Sequence, residues 1–273
     1  MPQKYSDRLA DIQQAQQSTL CVGLDPDPDR LPSHLVDEFG VVRATSYFIE
    51  AIVDATLPFC AAYKINFAFF EALGPDGLKV LADARRCIPA DRIALADAKR
   101  GDIGNTARFY ARSVFEEMGF DAITISPYMG SDSVTPFLEY TGKGSYVLVR
   151  TSNKAASDIQ LMKSSDNQYL YTRVARLAQE WSENLAGSLG FVMGASDIEA
   201  LVSIRSEYPD RPLLIPGVGA QGGDIEQVVS ALQGGDAPYL INSSRGILYA
   251  SSGSDFAEMS GRAARKLRDQ LRD

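Results

Sequence analysis

The stretch RIALADAK, residues 92 to 99, is an apolar run that ends in charge. Beyond it Tyr110, Val114 and Met118 recur at a spacing of four before Gly119, and a second apolar run, AITISPY, occupies 122 to 128. Apolar residues four apart that stop at a glycine mark a helix, and short apolar runs bounded by turn residues mark strands. Together these pieces read as one strand, helix and strand in succession.

Outward from that unit the pattern repeats. Comparable runs are STLCVGLD (18 to 25), CAAYKIN (60 to 66), SYVLVRTS (145 to 152), GFVMGA (190 to 195), PLLIPGVG (212 to 219) and YLINSS (239 to 244). With 92 to 99 and 122 to 128 they make eight. Near-continuous apolar strands alternating with helices are buried on both faces, so the expected sheet is parallel and closes on itself. The intervening segment Ile225, Val228, Val229 and Leu232 before Gly234 fits a helix. Two more helices flank the repeat, one carrying Tyr5, Leu9 and Ile12, the other Phe256, Met259, Ala263, Leu267 and Leu271. The expected fold is therefore α/β, a (β/α)8 TIM barrel with additional N- and C-terminal helices. The longest connection, 153 to 189, begins with the polar NKAASDIQLMKSSDNQ, read as a loop before a helix bearing Val174, Leu177 and Trp181. No linker or composition break divides the chain, and 1 to 273 is expected to be a single domain.

Composition narrows the partners. The chain has 45% hydrophobic and 23% charged residues and a formal net charge of -8. That balance argues against a nucleic acid or an anionic membrane, either of which needs a broad basic face. No run approaches a membrane span and the first residues lack a signal-peptide core, so a cytoplasmic protein is expected. Cys21, Cys60 and Cys87 are too scattered for a disulfide framework or a C-x-x-C site, and Cys21 and Cys60 are expected to be reduced core residues. His34, the single histidine, stands outside any charged cluster and leaves no basis for histidine-based nucleophilic catalysis.

In a barrel of this kind the chemistry gathers at the C-terminal ends of the strands. Those ends carry Asp25, Lys64 with Asn66, Asp97 with Lys99, Ser126, Thr151 with Ser152, Gln221, and Ser244 with Arg245. Strand alternation sends Asp97 and Lys99 to the same side, and Lys64 arrives beside them from the preceding strand. Alone, Asp97, Lys99 and Asp102 would read as a solvated charge turn. Emerging from a buried strand, they read better as a paired, preorganised site. IPGVGAQGGD at 215 to 224 and Arg245 in INSSRG form a second constellation, in which backbone N–H groups and a guanidinium suit a phosphate.

LADAKRGDIGNTA, with CVGLDPD, YKIN, TSN at 151 to 153, PGVGAQGG and SSRG, resembles the orotidine 5'-phosphate decarboxylase family, in particular its longer bacterial-type branch. The likeness runs from about Val22 to Arg245, with the motifs in family order. A departure is TSNKAAS, where the family often has proline after TSN. The resemblance implies decarboxylation of orotidine 5'-monophosphate to uridine 5'-monophosphate in pyrimidine biosynthesis, with no metal and no organic cofactor. It implies Lys99 as the cation beside C6 and its proton donor, Asp97 near the departing carboxylate, and Lys64 holding Asp97 and contacting the ribose with Asp25. Ser152 would hydrogen-bond the pyrimidine, Gln221 would span base and phosphate, and Arg245 would grip the phosphate as the 217 to 223 loop closes. Asp102 and Thr106 would enter the neighbouring site of a homodimer. Two alternatives stay open: a metal-dependent superfamily relative acting on a keto-sugar phosphate, although Lys64 stands where such proteins typically carry a metal-binding acid, and a catalytically silent phosphate-ligand binder.

Overall fold

In a computed structural model, which describes residues 3 to 218 and 224 to 272, the strands close as expected. They are β1 (Leu20–Leu24), β2 (Ala62–Asn66), β3 (Ile93–Arg100), β4 (Ala122–Ile125), β5 (Gly144–Arg150), β6 (Ser188–Met193), β7 (Leu213–Pro216) and β8 (Tyr239–Ser243). Each pairs in parallel with the next, and β8 pairs with β1. Several strands end sooner than their apolar runs, because residues such as Ser126 and Ser152 already belong to the turns at the barrel mouth.

The interior is packed rather than hollow. Leu95, Ala122, Tyr146, Val192, Leu214 and Leu240 fill the barrel and form a cluster distinct from the larger one between strands and helices. The N-terminal helix Tyr5–Gln16 closes the floor by burying Tyr5, Leu9 and Ile12, the stripe seen in the sequence. The Tyr5 and Tyr146 hydroxyls lie 3.1 Å apart, and a Cβ on Gly144 would come within 2.6 Å of the Tyr5 ring, so glycine permits this plug. Cys21 and Cys60 are free and buried, and burial pushes the Cys60 thiol up to about 11, as suits reduced core residues. His34 is exposed at the start of helix Ser33–Thr56.

Three local readings are refined by the structure. Helix Gly104–Arg112 continues into a π-helical stretch, Ser113–Glu117, so the spacing of four ending at Met118 spans a change of pitch. The C-terminal helix Phe256–Gln270 buries Phe256, Ser260, Gly261 and Ala264, while Met259, Ala263 and Leu267 are only partly buried. Gly261 allows close approach to helix Ser33–Thr56, where a Cβ would come within 2.8 Å of the Ala55 carbonyl oxygen, so small residues join Phe256 and Leu271 on the inward face. The polar start of the 153 to 189 connection is not a plain loop: it holds helical turns at Lys154–Ala156 and Ser157–Gln160 and a bridge between Lys163 and Tyr169 before helix Leu170–Trp181. No helix among the described residues is long and apolar enough to cross a membrane.

Candidate active site

A cavity of about 920 Å³ opens at the C-terminal ends of the strands, where Asp25, Lys64, Asp97, Lys99, Ser152 and Arg245 all line it. Register explains part of this convergence. Lys64 on β2 pairs with Gly23 and Leu95, and Asn66 pairs with Asp97, so Lys64 sits two residues below Asp97 on the neighbouring strand and its long side chain reaches up to the carboxylate.

Asp97 is shared by two cations. Lys64 Nζ donates to its Oδ2 at 2.7 Å and Lys99 Nζ donates to its Oδ1 at 2.5 Å. Lys64 also lies 3.7 Å from Asp25 Oδ1, which makes a chain Asp25, Lys64, Asp97, Lys99 of alternating charge. Lys64 and Asp97 are 4% and 8% exposed, whereas the Lys99 side chain is 50% exposed, so the last cation of the chain faces the open cavity. Burial disfavours the Asp97 carboxylate, but the charges of Lys64 and Lys99 and their hydrogen bonds outweigh it and hold its pKa well below the usual carboxylate range. Burial likewise disfavours the Lys64 ammonium, and the charges of Asp25 and Asp97 more than offset this, so its pKa is raised. Neutralising either inner member would leave its buried partner with only one of its two counter-charges.

Lys99 does not reach Asp97 by simple strand alternation. The β3 to β4 register shifts between Ala96 and Arg100, and Lys99 takes φ 46, a left-handed backbone uncommon for a side-chain-bearing residue. Its displaced N–H donates to Thr124 Oγ1 at 3.1 Å, and the same hydroxyl donates to Asp97 Oδ1 at 3.0 Å. Thr124 thus satisfies the bulged backbone and completes the Asp97 carboxylate at once. The sequence reading missed it, although a threonine inside the apolar run 122 to 128, one strand along from Asp97, was the available signal.

The rim is organised by side chains that no motif announced. Tyr249 donates through its hydroxyl to the Asp25 carbonyl at 3.0 Å and accepts from the Asp27 N–H at 2.6 Å, while the Arg30 guanidinium lies 3.9 Å above its ring centroid. Tyr249 follows the helical turn Arg245–Leu248, so it ties the turn carrying Arg245 to the loop after β1. Asn242 on β8 also lines the cavity.

Asp102 and Thr106 do not line this cavity. Asp102 Oδ1 accepts from the Ile103 N–H at 2.7 Å, ahead of helix Gly104–Arg112, on which Thr106 is exposed. Ile103 and Phe109 beside them are 52% and 61% exposed. Gln221 lies outside the described residues. Among the described residues no group of three or more His, Cys, Asp or Glu side chains is placed to hold a metal ion.

Comparison with known proteins gives concordant matches. The model of the Orotidine 5'-phosphate decarboxylase / HUMPS family matches residues 18 to 259. A protein of Dehalococcoides mccartyi named orotidine 5'-phosphate decarboxylase is 44% identical over 98% of this chain and 97% of its own length. One of the same name from Christiangramia forsetii is 48% identical over 93% of each chain. Among solved structures, Leishmania donovani OMP decarboxylase superposes with a TM-score of 0.83 at 36% identity, covering 98% of both chains.

Proposed function

The chain belongs to the orotidine 5'-phosphate decarboxylase / HUMPS family, and from that premise we propose that it converts orotidine 5'-monophosphate to uridine 5'-monophosphate and CO2 with neither metal nor organic cofactor. The observation that carries this reading is the Asp97 carboxylate held between a buried Lys64 and a cavity-facing Lys99.

Decarboxylation breaks the bond between C6 and the carboxylate, and the electron pair stays on C6. The Lys99 ammonium is the cation that meets this developing charge and then gives its proton to C6. An ammonium fixed in advance stabilises the transition state more than the ground state, because nothing must reorganise as CO2 departs. Its ion pair with Asp97 restrains Lys99 in that position, and the Thr124 bond to its backbone supports the same geometry. Asp97 stands near the departing carboxylate. Lys64 holds Asp97 and, with Asp25, contacts the ribose. Ser152 recognises the pyrimidine and Arg245 grips the phosphate, with Gln221 between base and phosphate.

The site is completed by a second copy of the chain. Asp102 and Thr106 do not line their own cavity, and the exposed Ile103 and Phe109 flank them, an apolar surround suited to burial in a two-fold interface.

The test is the ultraviolet absorbance change on mixing the protein with orotidine 5'-monophosphate, with and without EDTA, with uridine 5'-monophosphate identified as product. Conversion insensitive to EDTA is expected. Folded protein without turnover would overturn the assignment in favour of a silent binder, and EDTA-sensitive activity would point to a metal-dependent reaction.

A further inference from the structure

Gln160 ends the short helical turn Ser157–Gln160 and lines the cavity, yet no step of the reaction above uses it. Its amide makes three hydrogen bonds to the residues that lead into Ser152. Gln160 Oε1 accepts from the Thr151 backbone N–H at 2.9 Å and from Arg150 Nη1 at 3.3 Å, while Nε2 donates to Thr151 Oγ1 at 2.8 Å. The Thr151 hydroxyl in turn donates to Asn153 Oδ1 at 2.6 Å. One amide therefore grips Thr151 by both its main chain and its side chain.

The grip is backed on two sides. Arg150 is anchored by Asp197, with Nε to Oδ2 at 2.8 Å, and Asp197 also caps helix Ile198–Glu207 by accepting from the Ala200 N–H. On the other side Gly194 lets β6 close against the turn: a Cβ there would stand 2.7 Å from the Ser152 nitrogen. Residues 151 to 153 leave the strand at this point, so their own ladder cannot fix them. A turn of that kind samples several backbone wells unless side chains hold it, and ordering it on binding would cost affinity.

We propose that Gln160 is a positioning residue for recognition of the base: by clamping Thr151 it presets Ser152, so that the preference of this site for a pyrimidine nucleotide over its bare sugar phosphate depends on a side chain from the connection after β5. The inference rests on the reading of Ser152 as the residue that contacts the pyrimidine.

Two ligands that share ribose and phosphate separate this role from a structural one. Dissociation constants for uridine 5'-monophosphate and for ribose 5-phosphate are measured on wild type, Gln160→Ala, Gln160→Glu and Thr151→Val. Gln160→Ala is expected to weaken the nucleotide about tenfold, the scale of one lost hydrogen bond to the base, and to leave ribose 5-phosphate unchanged. Gln160→Glu keeps the acceptors for Thr151 N–H and Arg150 and should restore most of the selectivity. Thr151→Val removes the hydroxyl that receives Nε2 and should lose part of it, which keeps the comparison available if Gln160→Ala does not fold. Equal losses for both ligands, or no loss for either, would overturn the proposal. Wild type that prefers the nucleotide but does not decarboxylate orotidine 5'-monophosphate would sink the reaction alone and leave this inference standing, whereas wild type without that preference would sink the role of Ser152 and the inference with it.

Discussion

Lys99 reaches Asp97 through an irregularity within β3: its backbone turns to φ 46, and its Nζ comes to 2.5 Å from Asp97 Oδ1 with half of the side chain still open to the cavity. The residue with the strained backbone is thus the one that presents a charge to the cavity, and the neighbours that hold it there are the natural targets for substitution.

Lys99→Ala should lower turnover of orotidine 5'-monophosphate by at least about a thousandfold, within the range for removal of a positioned proton donor and electrostatic stabiliser. Binding of uridine 5'-monophosphate should remain measurable by calorimetry. Turnover within a few-fold of wild type would remove Lys99 from its assigned role.

Asp97→Asn should destabilise the protein by about 3 kcal/mol, because Lys64 keeps its charge in a buried site with only the more distant Asp25 to offset it. The sign of the pH dependence follows from the depressed Asp97 pKa. Its contribution is complete above the unfolded carboxylate pKa of about 3.9 and is lost as pH falls toward the folded value. The raised Lys64 pKa acts in the opposite limb: its contribution is complete below the unfolded lysine pKa of about 10.4 and is lost as pH rises through the folded value. Urea unfolding of wild type should therefore show no slope from this pair near neutrality and a fall below about pH 4, and Asp97→Asn should flatten that acid fall. An unchanged acid limb would count against a paired Asp97.

Thr124→Val removes the hydroxyl that accepts from Lys99 N–H and donates to Asp97 Oδ1 while keeping its volume. Steady-state kinetics should show kcat reduced about tenfold with little change in KM, since the loss is one of alignment and not of substrate contact. A change confined to KM would show that Thr124 acts on binding instead.

Tyr249→Phe keeps the ring under Arg30 but deletes the oxygen between the Asp25 carbonyl and the Asp27 N–H. Thermal unfolding should show a loss of about 1 to 2 kcal/mol, and kcat/KM should drop several-fold as Asp25 loses its support. Wild-type kinetics in this variant would mean that the loop after β1 is held well enough by other contacts.

Mixing Lys99→Ala with Asp102→Ala should restore activity if Asp102 serves the neighbouring site, because a hybrid dimer contains one site with both residues intact. Sedimentation would establish the dimer and mass spectrometry the exchange of subunits. Exchange without recovered activity would place Asp102 in its own subunit's site.

The sequence by itself determined the barrel and the set of charges at its mouth. Eight apolar runs buried on both faces leave few alternatives to a closed parallel sheet, and polar residues placed at the ends of such runs must emerge at one rim. Lys64, Asp97 and Lys99 were legible for that reason, as were Tyr5, Leu9 and Ile12 at the floor. The tertiary structure decided what no local period encodes: that Lys99 turns through a bulge, that Thr124 closes it from the next strand, that Tyr249 joins β1 to the turn after β8, and that Gln160 folds back on Thr151. Those bonds join residues from 9 to 224 positions apart. Short-range patterning reports which way a side chain faces, while the partner it meets is fixed only when the closed barrel brings distant strands and connections to the same rim.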